Sequence, residues 1–534
     1  MVNQRPWLKQ YDPGVPPTLE YPNICLQDLL SQQAAKIPDR TAIHWGNRSL
    51  SYQELEEDVA AFAAILVQSG IDVGDVVGVC LANSIEFVIA YFGIIKAGAI
   101  AAAMNPQFPL VELHHQIMMT NCRFLIANAE NASRFVSETA ASAIQITVGS
   151  EVNHFALNIV SLTSTGNRFM KASREKILPV ITPDQSAVLQ FSGGTTGVPK
   201  AVLATHRNLI ANATQFRHWL VNLDEGKETF LVAIPLYHVY GQVLGLVLGV
   251  AMGATMVFVR NPGDIDEIID ALKQFPVSYF PAVPTIFHRI NQYPAVKSQS
   301  VDLRSIKACI SGSAPLGRED RLEFERLTGG RLVEGYGLSE APTATHCNPI
   351  LGENRNDSIG LPLPDVDCRI VDPEDERREV AVGEEGELLI KGPQIMPGYL
   401  NNPEETARTI KDGWLHTGDI ARMDQEGYFY LSGRIKDLIK VHGMQVWPDE
   451  VEEVIGQHPS IVECAVAGIP NRKSGETVKV WLVKRPESEI TLEEIKRFCV
   501  GKLAGYKIPT ELEIVPALPR SSVGKVLRRL LVER

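Results

Sequence analysis

The stretch that decides the fold prediction is Phe191-Ser192-Gly193-Gly194-Thr195-Thr196-Gly197-Val198-Pro199-Lys200. It places three glycines, three hydroxyl side chains and one lysine within ten residues. Short apolar runs on both sides, 187–191 and 201–204, predict two buried strands joined by a loop. Glycine lets the backbone approach a ligand closely, and consecutive N–H groups with hydroxyls form a cradle for anions. We therefore predict a phosphate-binding loop; the alternative is a glycine-rich connection that binds nothing.

The loop differs from the Walker type of phosphate loop. In that motif a Gly-Lys pair opens a helix. Here Pro199 precedes Lys200, and strand-like residues follow. The lysine is therefore expected at the end of the loop, directly before the second strand.

Bulk properties narrow the class of protein. A chain of 534 residues exceeds a single hydrophobic core and predicts two or more domains. The net charge of -12 disfavours a general nucleic-acid binder. Eight scattered cysteines without a Cys-x-x-Cys pair favour buried thiols in a reducing compartment over a zinc site. Because residues 1–17 show no apolar signal region, we expect a cytoplasmic protein. For the oligomeric state we expect a monomer or a homodimer.

Strand and helix patterns alternate along the chain before the loop. Amphipathic or apolar helices are predicted at 26–39, 52–68 and 85–97, and buried strands at 76–81, 100–104, 124–126 and 144–148. This alternation predicts an α/β sheet with helices on its faces. The residues after Asp437 show an α/β pattern of their own and predict a second, smaller domain.

An uncharged stretch at 241–259 raises the question of a membrane helix. We favour a buried helix to about Met252, a break at Gly253 and a strand at 255–259. The stretch has glycines at a strict four-residue spacing, at Gly241, Gly245, Gly249 and Gly253. Such a glycine face predicts that another backbone or a ligand passes close to the helix.

The loop resembles the signature loop of the AMP-forming adenylating enzymes, a superfamily of acyl- and aryl-CoA synthetases, peptide-synthetase adenylation domains and luciferase. Further motifs follow in order along nearly the whole chain, although Ala201 stands where glycine is usual. The resemblance implies an α/β fold with a large N-terminal domain of α/β subdomains, 1–435. It also implies a small mobile C-terminal α/β lid domain, 436–534, with its hinge near Lys436.

The resemblance implies an ATP site. In the loop, the β- and γ-phosphates would be held by Ser192, Gly193, Gly194, Thr195, Thr196, Gly197 and Lys200. The adenine side would be formed by Gly312, Ser313, Ala314, Glu334, Gly335, Tyr336 and Gly337. Ser339 would contact phosphate, Glu340 would hold Mg²⁺, and Asp419 with Arg434 would contact the ribose. For the last two, an ion pair on a turn is the alternative.

The same resemblance implies an acyl site and a catalytic lysine. His238 would lie beside the acyl carboxylate, and Gly241, Gly245, Gly312 and Gly337 would contact the acyl substrate. In Pro519-Arg520-Ser521-Ser522-Val523-Gly524-Lys525, the lysine matches the catalytic one. Gly443 matches a residue that lines the pantetheine tunnel for CoA, and Gln445 a polar contact near the phosphate.

Together these residues predict a ligase that forms an acyl-AMP and then a thioester with CoA. From the glycine face after His238 we predict a channel for a medium- or long-chain fatty acid; helix packing is the alternative for that face. The alternatives for the function are an aryl-CoA ligase of the coumarate type, a luciferase-like monooxygenase and a non-catalytic binding protein.

Overall fold

Strands and helices alternate along the chain in a computed structural model, and the strands form four sheets. The structure describes residues 5–122, 124–128, 131–132, 144–148, 178–192, 200–442, 444–471, 473–520 and 526–532. The α-helices of the described chain span Leu26–Lys36, Tyr52–Gln68, Ile85–Lys96, Leu110–Thr120, His206–Trp219, Leu248–Ala251, Ile265–Gln274, Pro284–Gln292, Pro294–Lys297, Arg318–Thr328, Pro403–Thr409, Pro448–Gly456, Leu492–Cys499 and Arg529–Val532. Gly241–Val247 is a π-helix, and short 3-10 helices span Pro6–Gln10, Ile435–Asp437 and Gly505–Lys507.

The seven-stranded sheet carries the predicted phosphate loop. Its strands lie in the order Gly398–Tyr399, Lys200–Thr205, Ser186–Ser192, Ile100–Ala103, Val76–Cys80, Phe124–Asn128 and Ile144–Val148. The strands before and after the loop pair antiparallel, with Ser192 opposite Lys200. The prediction of a loop between two strands is therefore confirmed, and Lys200 begins the second strand. Loop residues 193–199 lie outside the described residues.

The nine-stranded sheet supplies the second α/β layer. Its order is Leu361–Pro362, His346–Cys347, Arg331–Tyr336, Ala308–Ser311, Tyr279–Ala282, Thr229–Val232, Thr255–Phe258, Thr41–Trp45 and Arg48–Ser51. The central strands run parallel, and the strands ending at Ser311 and Tyr336 are direct neighbours. Because these two strands are parallel, the turns that follow Ser311 and Tyr336 lie at the same edge of the sheet. In such sheets, ligands bind at the carboxyl ends of the strands.

Two smaller sheets complete the chain. The six-stranded sheet contains Asp375–Glu379, Asp367–Asp372, Gly386–Lys391, Trp414–Met423 and Ile410–Lys411, with Phe429–Arg434 paired to Trp414–Met423. The five-stranded sheet contains Met444–Val446, Ile439–Val441, Gly475–Lys484 and Ile461–Asn471, with Glu511–Ile514 paired to Gly475–Lys484. The five-stranded sheet and its helices form a small C-terminal domain with a core of its own.

The helix Tyr52–Gln68 shows how local sequence sets an element. The hydroxyl of Ser51 accepts a hydrogen bond from the backbone N–H of Glu54, and the Glu54 carboxylate accepts one from Ser51 N–H. This capping box satisfies two N–H groups that the first turn leaves free. The apolar face buries Leu55 and Phe62 completely. The helix spans the predicted residues because cap and apolar period agree.

The uncharged stretch folds as a helix followed by a strand. The helical residues end at Ala251, and Gly253 adopts a φ of 59° before the strand Thr255–Phe258. This confirms the favoured prediction over the membrane-helix alternative. Within the described chain, no helix is both long enough and apolar enough to cross a bilayer. The eight cysteines are free thiols, and all except Cys464 are buried.

Candidate active site

A cavity of about 640 Å³ opens where the nine-stranded sheet meets the phosphate-loop strands and the start of the small domain. It gathers predicted residues from five separate stretches of sequence. Those that line it are Ser192, Lys200, His238, Gly312, Ser313, Gly335, Tyr336, Gly337, Ser339, Glu340, Arg434 and Lys436. Phosphate-side, adenine-side and acyl-side predictions therefore meet in one cavity.

Two neighbouring strand ends form the predicted adenine side. Ser311 pairs with Glu334, so Gly312 and Gly335 leave the sheet side by side. A Cβ atom on Gly337 would lie 1.6 Å from the carbonyl oxygen of Thr343, so only glycine fits this crossing of two backbone segments. The glycines are thus needed for the close approach of the backbone that forms the cavity wall.

Two predicted adenine-side residues lie beside the cavity wall. The buried Glu334 carboxyl group accepts a hydrogen bond of 3.0 Å from Leu316 N–H. Burial raises the pKa of Glu334 to about 8. Ala314 follows Ser313 in the turn but is not among the residues that line the cavity. The structure therefore places the Glu334 side chain under the turn, where it supports the turn's backbone.

Tyr336, Asp419 and Arg434 form one hydrogen-bonded group. The Tyr336 hydroxyl donates to Asp419 Oδ2 at 2.5 Å, and Arg434 Nε lies 2.6 Å from Asp419 Oδ1. Asp419 is 3% exposed, and its strand pairs with that of Arg434 so that the two residues face each other. Asp419 and Arg434 therefore form the ion pair of the alternative prediction, but on two paired strands and not on a turn. The hydrogen bond from Tyr336 connects the predicted ribose-binding carboxylate, Asp419, to the aromatic side chain on the predicted adenine side.

His238 contributes a neutral ring to the cavity. Burial lowers its pKa to about 4, so the imidazole is uncharged near pH 7. Its Nδ1 accepts a hydrogen bond of 3.3 Å from Tyr240 N–H, which leaves the proton on Nε2. A ring in this state can donate one hydrogen bond to a carboxylate without adding a charge.

The glycine face after His238 does not line the cavity. A Cβ on Gly241 would lie 2.3 Å from the Pro235 carbonyl oxygen, and one on Gly245 would lie 3.1 Å from Val232 Cγ1. Gly249 faces Met256 in the same way. This face therefore packs on the turn and sheet beneath it, and a contact of Gly241 or Gly245 with the acyl substrate stays a prediction.

The opposite side of the same helical stretch supplies the apolar wall of the cavity. Leu244 and Tyr240 line it, together with Ile310 at the end of its strand. The Tyr240 hydroxyl donates to the Ile310 carbonyl at 2.8 Å, and a Cβ on Gly312 would lie 3.2 Å from the Tyr240 ring. The aromatic ring thus closes the cavity towards the sheet. Sequence reasoning missed Leu244, although it lies next to a glycine of the predicted channel.

Lys200 and Glu340 have partners that sequence reasoning did not find. The Lys200 ammonium forms an ion pair with Glu405 and lies 5.1 Å from the centre of the Tyr399 ring. The Tyr399 hydroxyl donates to Glu340 Oε1 at 2.9 Å. Tyr399 and Glu405 belong to no recognised motif, and they reach the site because Gly398–Tyr399 pairs with the Lys200 strand.

Comparison with known proteins places the chain in a family. A family model described as AMP-binding enzyme matches residues 30–400, and one described as AMP-binding enzyme C-terminal domain matches 450–525. The chain belongs to the AMP-binding enzyme family. A long-chain-fatty-acid–CoA ligase of Bacillus subtilis is 38% identical over 100% of this chain and 98% of its own length.

Two further comparisons extend the family relation. A 4-coumarate–CoA ligase-like protein of Arabidopsis thaliana is 32% identical over 90% of this chain and 85% of its own length. The crystal structure of ATP-bound MatB from Rhodopseudomonas palustris superposes with a TM-score of 0.84 at 26% identity, covering 96% of this chain and 99% of that chain. The fold of this AMP-binding enzyme is thus the predicted α/β fold with a large and a small domain.

Two segments from the C-terminal part of this AMP-binding enzyme reach the cavity. Lys436 lies in the 3-10 helix Ile435–Asp437, and burial with the nearby Arg434 charge lowers its pKa. Leu527 also lines the cavity. The predicted residues Gly193, Gly194, Thr195, Thr196, Gly197, Gly443 and Lys525 lie outside the described residues. Gln445 lies on the strand Met444–Val446.

The chain around the predicted catalytic lysine is anchored on both sides. Arg520 and Val526 form a β-bridge across the undescribed residues 521–525. Arg528 then contacts Glu452 at 2.8 Å and Asp437 at 3.4 Å. This ion-pair cluster attaches the C-terminal segment to the residue that follows Lys436.

Proposed function

We propose that this AMP-binding enzyme is an acyl-CoA ligase for fatty acids. It joins a fatty acid to ATP to give acyl-AMP and pyrophosphate, and then transfers the acyl group to CoA with release of AMP. The observation that carries this proposal is one cavity in which the predicted nucleotide and acyl residues meet, in a chain related over its full length to a long-chain-fatty-acid–CoA ligase.

In the first step the fatty acid carboxylate attacks the α-phosphorus of ATP. A carboxylic acid is already ionised near pH 7, so the enzyme needs no general base. Tyr336 offers an aromatic face for the adenine ring. The neutral His238 ring beside the acyl site can orient the carboxylate through its Nε2 proton. The remaining task is to stabilise phosphoryl charge, which positioned cations perform.

The phosphate side of the cavity provides those charges and hydroxyls. We assign the β- and γ-phosphates to Lys200, Ser192 and the loop 193–199. Lys525 would balance the α-phosphate and the incoming carboxylate. Leu527, two residues after Lys525, lies on the cavity wall, which supports this assignment.

The cavity suits a magnesium ion that arrives with the nucleotide. Mg²⁺ is usually bound through one or two carboxylates plus substrate phosphates. Among the described residues, no group of three or more His, Cys, Asp or Glu side chains could hold a metal by itself. The Glu340 carboxylate on the cavity wall fits binding of Mg²⁺ by one carboxylate together with the substrate phosphates. We assign Mg²⁺ to Glu340, where the ion would neutralise phosphate charge.

The apolar part of the cavity would receive the acyl chain. Leu244, Tyr240, Val239 and Ile310 offer apolar contacts directly beside His238. This arrangement favours an aliphatic chain, because its binding grows with the apolar area that is buried. A flat aryl acid of the coumarate type is the second candidate substrate, since a ligase-like relative of that name is 32% identical.

For the second step we propose that the small domain turns about Lys436. The turn would withdraw Lys525 and bring Gly443 to the cavity, so that the pantetheine arm of CoA reaches the acyl-AMP. The hinge position agrees with the short helix Ile435–Asp437, which connects the six-stranded and five-stranded sheets. The domain boundary at 435/436 is part of this proposal.

Two measurements test the proposal. Pyrophosphate release with a panel of fatty and aryl acids should be highest with fatty acids; no release with any acid would refute the ligase proposal. Lys525→Ala should abolish adenylation and leave thioester formation from supplied acyl-AMP. A similar loss of both half-reactions would refute the two-state scheme.

A further inference from the structure

The phosphate lysine of this enzyme already has an anionic partner. The Lys200 ammonium pairs with the Glu405 carboxylate, and the aromatic face of Tyr399 lies on another side of it. Both side chains of the ion pair are about three-quarters buried, with exposures of 22% and 25%. An ion pair in this position occupies the charge that the phosphates need.

The position of Glu405 is fixed by local structure. It stands in the first turn of the helix Pro403–Thr409, where the Asn402 side chain accepts a hydrogen bond of 3.1 Å from Glu405 N–H. The preceding strand is attached to the Lys200 strand, since Leu400 N–H donates to the Ala201 carbonyl at 2.8 Å. Glu405 and Lys200 are therefore held on paired backbone segments.

Glu405 also has a second cationic neighbour on its own helix. Arg408 Nη1 lies 3.8 Å from Glu405 Oε2 and lines the cavity. When a polyphosphate takes Lys200, the Glu405 carboxylate can keep a counter-charge in Arg408. The carboxylate nevertheless stays close to the bound anion, and like charges at this distance repel.

We propose that Glu405 is a positioning residue that competes with phosphate for Lys200, and that it thereby weakens the binding of both ATP and pyrophosphate. The proposal rests on the proposed function, in which Lys200 holds the β- and γ-phosphates. The same competition promotes the departure of pyrophosphate after acyl-AMP has formed. Glu405 acts through Lys200 and takes no part in the bond changes.

The test compares Glu405→Gln with Glu404→Gln. Both variants remove one negative charge from the same helical turn, but Glu404 is exposed and Glu405 faces Lys200. Isothermal titration calorimetry with inorganic pyrophosphate measures binding in the absence of turnover. We expect Glu405→Gln to tighten pyrophosphate binding by about two- to fivefold, the range of a partly exposed ion pair. Glu404→Gln should leave it within experimental error.

Steady-state kinetics provide a second measurement. In Glu405→Gln, the KM for ATP and the inhibition constant of pyrophosphate should fall together, while the KM for the fatty acid stays unchanged. A merely structural role would change all three or none. Equal effects of the two variants, or weaker pyrophosphate binding in Glu405→Gln, would overturn the proposal.

The two proposals can fail separately. If the parent protein binds no pyrophosphate and releases none with any acid, the proposed function itself is wrong. If the parent protein binds and releases pyrophosphate but Glu405→Gln matches it, only the competition by Glu405 is refuted.

Discussion

Truncation of Leu244 should lengthen the acyl chain that the enzyme prefers. Leu244→Ala removes about three carbon atoms from the cavity wall beside Tyr240 and His238. Each methylene that an acyl chain buries in the vacated space contributes about 0.8 kcal/mol. This is roughly a fourfold gain in kcat/KM per methylene, because about 1.4 kcal/mol corresponds to a factor of ten. In Leu244→Ala, kcat/KM for an acid two methylenes longer than the parent's preferred acid should therefore rise roughly fifteenfold relative to kcat/KM for that preferred acid.

The measurement is kcat/KM over a homologous series of saturated fatty acids, with pyrophosphate release as the readout. Leu246→Ala is the matched control, because Leu246 is fully buried in the core of the same helix and is not among the residues that line the cavity. Both variants should lose roughly 2 to 5 kcal/mol of unfolding free energy, since each leaves a hole in packed surroundings. Only Leu244→Ala should shift the chain-length profile.

Two results would refute this reasoning. If both leucine variants shift the profile alike, the change comes from general loosening and the cavity wall is not its cause. If neither variant shifts it while both remain folded, the acyl chain binds elsewhere. Gly249→Leu adds a further check, because that glycine faces Met256 and the sheet. It should destabilise the fold without shortening the preferred acid.

Two further predictions concern the adenine side. Gly337→Ala should lower the free energy of unfolding by about 1 to 3 kcal/mol and weaken ATP binding, because its Cβ would lie 1.6 Å from the Thr343 carbonyl oxygen. Gly505→Ala is the control, because a Cβ at that position meets nothing within 4 Å. Equal melting temperatures for the two variants would contradict the close approach at Gly337. For Glu334, burial raises the pKa from 4.5 to about 8, so the folded state binds more protons than the unfolded state between these values, and stability is lost as pH rises through that window. The unfolding free energy of Glu334→Gln minus that of the parent, from urea titrations, should therefore rise from pH 4.5 to pH 8, and a flat difference would show that the carboxyl group is not buried.

Local sequence predicted the elements that carry the site. Apolar runs on both sides of the glycine-rich loop predicted the two strands, and the second one begins at Lys200, one residue before its predicted start. Parallel strands ending at Ser311 and Tyr336 brought their motifs together because neighbouring strands end at the same edge. Ala201, unusual beside a phosphate loop, is a buried strand residue whose methyl group packs in an apolar cluster.

Other parts of the site depend on tertiary packing. Four-residue glycine spacing identified a close approach, but the sequence could not tell whether the sheet or a ligand made it. The stretch Gly241–Val247 winds as a π-helix, in which the hydrogen bonds join residues five apart, so periodicity of an α-helix misjudges its faces. Glu405 escaped notice because a carboxylate in a short polar helix is ordinarily a solvated surface group. Only its contact with Lys200 distinguishes it.

The pairing of Gly398–Tyr399 with the Lys200 strand also has a consequence for biosynthesis. Tyr399 pairs with Val202, so the outer edge of that strand waits for a partner almost two hundred residues further along the chain. At a synthesis rate of about 5 to 20 residues per second, the wait lasts roughly 10 to 40 seconds. An unpaired strand edge is a template for pairing with other chains. During this time the nascent protein therefore carries an open strand edge at the position of the proposed phosphate site.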